Sequence, residues 1–111
     1  MVRSVEIHAT ARHAIRRFSR EVRNDLGSAL MKLQLGMNLG MPLSRPMPGI
    51  YPGAHELRFR DRSGIQRVFY YLAAERAILV FHAFTKKTQQ TPLAEISRGR
   101  RRLKEMLNEA L

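Results

Sequence analysis

Three short extended stretches, joined by turns too tight to do anything but reverse the chain, constrain this sequence most. Residues Ala54–Asp61 alternate, with Leu57 and Phe59 to one side and Glu56, Arg58 and Arg60 to the other. Asp61-Arg62-Ser63-Gly64 is a hairpin turn in composition. Residues 65–72 are rich in β-branched and aromatic side chains, which fit a pleated surface. Residues 73–76 make a second tight turn. Residues 77–84, opening on the apolar run Ala77-Ile78-Leu79-Val80, give the third strand. Such short connections predict an antiparallel meander.

The flanks predict helices. Residues 2–8 alternate weakly and permit a short edge strand. Residues 9–18 space Ala11, Ala14, Ile15 and Phe18 helically. Ser19 then caps a second helix with Glu21 in its first turn. Val22, Leu26, Leu30, Leu33 and Met37 form its apolar stripe, and Gly36, Gly40 and Met41-Pro42 close it. Residues 42–53 carry four prolines and two glycines and predict an ordered loop, neither helix nor strand. After Pro92, the residues Leu93, Ile96, Leu103 and Leu107 mark a last amphipathic helix whose basic block projects mostly outward. The sum is one α+β domain over residues 1–111. A helical hairpin and a basic C-terminal helix pack on one face of a small antiparallel sheet.

Composition narrows the chemistry. The 111 residues contain no cysteine, so there is no disulfide framework and no thiolate metal site, which fits a reducing cytoplasm. The N-terminus lacks an apolar core long enough for a signal peptide, and no apolar run is long enough to span a bilayer. The four histidines show no metal-ligand spacing, and neither a metal site nor a cofactor is expected. Twenty Lys and Arg against nine Asp and Glu leave +11, an excess suited to a polyanion or an acidic partner.

Four groups of residues could do chemistry. Arg58 and Arg60 share a strand face, and Arg67 lies across the hairpin where neighbours are about 5 Å apart at Cβ. With Lys86 and Lys87 they form a basic sheet face that can clamp a phosphate, or an ordinary solvated face with Glu56 and Asp61 as partners. His82 is able to act as general acid or base, or to sit hydrogen-bonded in the core. Of the aromatic residues of the last two strands, some could stack on bases and most are core. Arg100, Arg101, Arg102 and Lys104 on the last helix can bind phosphates nonspecifically, or simply complement the helix dipole.

An ordered series of motifs carries a resemblance. It runs from Gln34-Leu35-Gly36-Met37 and Arg45-Pro46-Met47-Pro48 to Glu56-Leu57-Arg58, then Ser63-Gly64-Ile65-Gln66-Arg67-Val68-Phe69-Tyr70. It ends with Leu79-Val80-Phe81-His82-Ala83-Phe84-Thr85-Lys86-Lys87-Thr88-Gln89-Gln90-Thr91-Pro92, Glu95-Ile96 and Arg101-Arg102-Leu103. Over most of its length the chain resembles the phage-related, HigB-like branch of the RelE/ParE toxin superfamily, the toxins of type II toxin–antitoxin modules. It departs from that branch at Ser19, where a proline often opens the second helix.

The resemblance implies an α+β toxin and a ribosome-dependent, metal-free endoribonuclease that cuts mRNA and inhibits translation. It implies Arg67 and Arg58 as phosphate and transition-state contacts and Lys86 as transition-state stabiliser or proton-transfer partner. It makes Lys87 an RNA or ribosomal-RNA contact, with His82 a further catalytic candidate. Arg67 is expected to be exposed, so that Arg67→Ala would remove activity and leave the fold. The implied partners are mRNA on the ribosome and a cognate helix-turn-helix antitoxin, with no membrane. Two other readings stay open: a ParE-like toxin that acts by binding, for example to DNA gyrase, and an inactive basic nucleic-acid-binding protein.

Overall fold

The computed structural model describes residues 2–74, 77–87 and 90–109, with Glu109 by its backbone alone. A five-stranded sheet in the order β1-β5-β4-β3-β2 is built from β1 (Ser4–Ile7), β2 (Ser44–Pro46), β3 (Ala54–Asp61), β4 (Gly64–Ala73) and β5 (Ala77–Lys86). The helices are α1 (Ala9–Arg16), α2 (Arg20–Gln34) and α3 (Leu93–Glu109). The predicted meander is β3-β4-β5, antiparallel throughout. The edge strand permitted at the N-terminus is β1. It pairs parallel with β5, Ser4 opposite Ala77 and Ile7 opposite Val80, so the sheet is mixed and not purely antiparallel. A parallel pair needs a crossover, and α1 with α2 supplies it.

Local signals place the helical hairpin. The Ser19 hydroxyl accepts from the Val22 amide at 3.2 Å, opening α2 as a serine cap should. Val22, Leu26, Leu30 and Leu33 are buried as the stripe predicts. Met37 is not: the helix has ended at Gln34, Gly36 takes φ +85° just beyond, and Met37 lies exposed. The α2 stripe packs with Ala11 and Phe18 on Leu57, Phe59, Val68, Tyr70, Ile78 and Val80.

The last helix corrects the one-face expectation. Leu103, with Ile96, Met106 and Leu107, packs instead on Phe69, Leu79 and Phe81, on the opposite side of the sheet. The sheet is thus sandwiched between the hairpin and α3. The Pro92 carbonyl accepts from Glu95 and Ile96, so the proline sits just before the helix, and Leu93 is exposed. Residues 42–53 are likewise not all loop. Ser44–Pro46 pairs antiparallel with β3, Arg45 opposite Glu56, and Pro46 ends it because proline lacks a ladder donor.

One irregularity decides which side chains share a face. Phe69 pairs with His82, yet Tyr70 pairs with Val80, so Phe81 is an extra residue in β5. This β-bulge breaks the alternation. Phe81 packs on α3, and His82, the partner of Phe69, joins it there. Val80, which simple alternation would put on the same side as His82, faces the hairpin.

The close seat of α3 depends on Gly99. A Cβ there would lie 2.8 Å from Phe69 Cδ2 and 3.1 Å from Cε2, against a ring with no exposed surface. Gly99→Ala should therefore destabilise the fold, with about 1–3 kcal/mol of overpacking outweighing the roughly 1 kcal/mol gained in helix propensity. Urea unfolding of the two proteins measures this, and an alanine variant as stable as the parent would mean that α3 can shift freely on the sheet.

Candidate nucleic-acid interface

Two charged clusters lie side by side on the α3 face of the sheet. The first is centred on Glu56. The sequence places this carboxylate on the same face of β3 as Arg58, and the structure buries it completely. Arg45 Nη2 lies 3.3 Å from Glu56 Oε1, Arg58 Nε 3.7 Å from the same oxygen, and Arg67 Nη1 3.9 Å from Oε2. The Thr91 hydroxyl donates to Glu56 Oε2 at 2.7 Å and accepts from Arg67 Nη1 at 2.7 Å. Arg45 Nη2 also reaches Thr91 Oγ1 at 3.4 Å. Burying an ion is expensive unless it is paired and hydrogen-bonded, and this carboxylate is both.

Arg67 corrects the sequence expectation. It does pair with Arg58 across the strands, but its side chain has 0% exposure. Burial lowers its pKa, Glu56 raises it, and Arg58 and Arg45 lower it. An arginine nonetheless stays a cation in a protein. Its ion pair with Glu56 and its hydrogen bond to Thr91 lie inside the cluster.

The second cluster is centred on His82, buried at the bulge. Arg102 Nη1 donates to His82 Nδ1, and His82 Nε2 lies 2.9 Å from Glu95 Oε1, which Arg98 Nη1 also approaches at 3.2 Å. A guanidinium only donates, so Nδ1 must carry a lone pair. The proton of the neutral ring is then on Nε2, which donates to Glu95. Protonating Nδ1 would set N–H against N–H. Burial accordingly pushes the His82 pKa below its ordinary 6.5, with the Arg102 charge adding to this against the pull of Glu95. Burial raises the Glu95 pKa, but the bonds from His82 and Arg98 hold it below 4.5 on balance.

Other residues singled out in the sequence lie as follows. Arg60, Ile65 and Lys86 form a row across β3, β4 and β5, and both Arg60 and Lys86 are exposed. Lys87, Arg101 and Lys104 are exposed as well, whereas Arg102 is taken up by His82. Arg100 donates to the carbonyls of Gly49 and Ile50, clipping α3 to the loop before β3. Thr88 and Gln89 lie outside the described residues. Glu56 pairs with arginines as the solvated-face reading had it, but buried; Asp61 binds its own turn through Ser63 and Gln66, and the Ser63 hydroxyl first, with Ser19, brings its pKa down to about 2. Sequence reasoning missed Arg45, Thr91 and Glu95. The first two lie in segments with no periodicity, and all three stand in the motif series without a role. Among the described residues, no three His, Asp or Glu side chains converge as a metal ligand set, and no helix is long and apolar enough to cross a membrane.

Comparison with known proteins agrees with this fold. The family description "phage derived protein Gp49-like (DUF891)" matches residues 13–104. No curated protein matches the chain in sequence. Among solved structures it is similar to a double arginine-to-alanine mutant of E. coli toxin RelE in the free state. That likeness has 16% identity over 88% of this chain and 97% of the other, with a TM-score of 0.63. It is also similar to a chain of the toxin–antitoxin complex RelBE2 from Mycobacterium tuberculosis, at 14% identity over 78% and 100% of the two chains and a TM-score of 0.55. At such identities the likeness is one of fold.

Two outcomes follow. Arg67→Ala empties a large buried volume and takes from the cluster one of the three guanidiniums on Glu56 and a hydrogen bond to Thr91, so it should cost about 2–5 kcal/mol by chemical denaturation; full stability would return Arg67 to the exposed surface. As for pH, the unfolded chain takes up the His82 proton before the folded one does. Stability is complete above about pH 6.5 and falls as pH drops below it, and the Glu95 contribution is lost further down, below its ordinary 4.5. The thermal midpoint should decline from pH 7 to pH 5, and His82→Gln should flatten that decline. An unchanged slope in the variant would move the effect to another group.

Proposed function

The chain belongs to the phage-derived Gp49-like family and has the fold of the RelE toxins, and on that premise we propose that it is the toxin of a type II toxin–antitoxin module, a HigB-like, ribosome-dependent and metal-independent mRNA endoribonuclease. The observation that carries this reading is the open sheet face beside α3. There Arg58, Arg60 and Lys86 stand at the surface over the buried Glu56–Arg67–Thr91 cluster.

In this reading the RNA supplies the nucleophile. A 2′-hydroxyl loses its proton to a base as its oxygen attacks the adjacent phosphorus and forms a 2′,3′-cyclic phosphate, while the bond to the 5′-oxygen breaks and an acid protonates that oxygen. Arg58 holds the phosphate and meets the charge that builds on its oxygens. Lys86 stabilises the same charge or passes the proton, and Arg60 and Lys87 hold flanking phosphates. Arg67 acts from beneath, as a positioning residue that fixes Glu56 and Thr91. His82 has both ring nitrogens engaged, so its part is to hold Glu95 and Arg102, and with them α3, against β5. Arg101 and Lys104 reach along α3 toward ribosomal RNA. The partner that restrains the toxin is a helix-turn-helix antitoxin whose acidic or apolar segment meets the basic face.

Induced expression in a bacterial host, with mRNA 5′ ends mapped, tests the reading. The wild type should arrest growth and leave new cuts inside translated messages. Lys86→Ala should abolish both while the purified variant keeps its thermal midpoint, because the side chain is exposed. Arrest without cuts would replace cleavage with a binding mode such as gyrase poisoning, and no arrest would leave an inactive nucleic-acid-binding protein.

A further inference from the structure

The outer edge of β3 is only partly used. Pairing with β2 covers His55, Glu56 and Leu57, and the Arg58 amide donates to the Leu43 carbonyl. From Phe59 to Asp61 the edge has no strand beside it among the described residues. A cleft of about 360 Å³ opens there, lined by Pro42, Leu43, Arg58, Phe59, Arg60 and Ile65. Four of the six lining residues are apolar and two are guanidinium-bearing. That mixture, in a concave site of this size, is what a small planar ligand with an anionic tail requires.

The charge beside the cleft points the same way. Three guanidiniums share one carboxylate within 4.0 Å, which leaves two positive charges in excess. Arg67 has no surface through which to meet an anion, whereas the Arg45 and Arg58 side chains are 34% and 23% exposed. Both hydrogen bonds of Arg45 run through Nη2, and among the described residues its other nitrogens make none. Arg58 belongs to both places: it lines the cleft and is held by Glu56. Glu56 is thus a positioning residue that sets two half-exposed arginines next to an apolar slot.

We propose that this cleft and the Arg58–Arg45 pair form a nucleotide subsite, the base lying against Leu43, Phe59 and Ile65 and its phosphate resting on Arg58 and Arg45. Arg60, which also lines the cleft, keeps its place on the flanking phosphate. Arg45 is then a phosphate contact, and Leu43 a residue that selects which base is held. The identity of the ligand rests on the RNA-cleaving reading; the cleft and the charge excess do not.

NMR titration of the full chain tests this, following the Leu43 and Ile65 methyl groups and the arginine side-chain signals. The probes are inorganic phosphate, the four nucleoside 3′-monophosphates and a short acidic peptide. Nucleotides should bind at least about tenfold tighter than phosphate and shift both methyl groups. Arg45→Gln should weaken phosphate and nucleotide alike, by about tenfold for a lost charge-assisted contact. Leu43→Ala should weaken the nucleotides alone. Equal affinity for phosphate and nucleotides overturns the base site, and no shift at Arg45 overturns the phosphate site. A peptide that moves the methyl groups more strongly than any nucleotide makes the cleft a protein-binding groove. Growth arrest with mRNA cuts is scored separately, so a toxin that cleaves but ignores mononucleotides would sink this proposal and spare the other.

Discussion

A carboxylate sealed in a protein interior must find its counter-charge there, and in this chain that need binds four segments together. Glu56 on β3 draws Arg45 from β2, Arg58 from its own strand, Arg67 from β4 and Thr91 from the approach to α3. Desolvating such an ion costs several kcal/mol, which no single surface arginine would offset. The three-residue β2 makes sense on this account. It is too short to add much to the sheet, but it puts Arg45 directly opposite Glu56. Thr91, a few residues beyond Lys86 and Lys87, ties the chain to the same point, so the exposed cations stand beside a support that is itself ion-paired.

The bulge at Phe81 is the second constraint. A strand in regular alternation would have set His82 and Phe81 on opposite faces. With one extra residue both turn toward α3. The helix meets a cluster of tilted rings, Phe69, Phe81 and His82, with Phe84 at its rim. Gly99 lets it approach, and Arg102 and Glu95 then grip the histidine from either side. Packing and polar pairing here select one rotamer and one tautomer of a residue that could otherwise be read as an acid or a base.

This also explains what the sequence made legible and what it hid. Alternation and turn chemistry located β3, β4 and β5, and the Ser19 cap with its apolar stripe located α2, because those signals are local. The same signals named the face on which Arg58, Arg60 and Arg67 stand. They could not say what lies over it. An arginine read from pattern alone goes to solvent, and Arg67 goes inside only because Glu56 and Thr91 meet it there across 11 and 24 residues of chain respectively. Arg45 was hidden by its prolines, which argued for a loop. Glu95 was hidden because an acidic residue in a first helical turn is already explained by the dipole. The parallel seat of β1 and the far-side seat of α3 are matters of topology that no short window contains.

The positions where local rules fail are also the ones gathered beside the open face. A buried ion cluster, a strand with an extra residue and an over-charged arginine group are each unfavourable taken alone. Natural sequences tolerate such departures where a site has to be held rigid, and compensate for them in the surrounding core. Here the compensation is visible: two apolar cores, one on each side of the sheet, enclose strands whose polar ends are left to a separate purpose. The excess of cations over Glu56 works against folding through self-repulsion, and a phosphate is the kind of ligand that would relieve it. On the proposed reading the chain carries a charge-crowded surface in its free state, and a polyanion would relieve that crowding on binding.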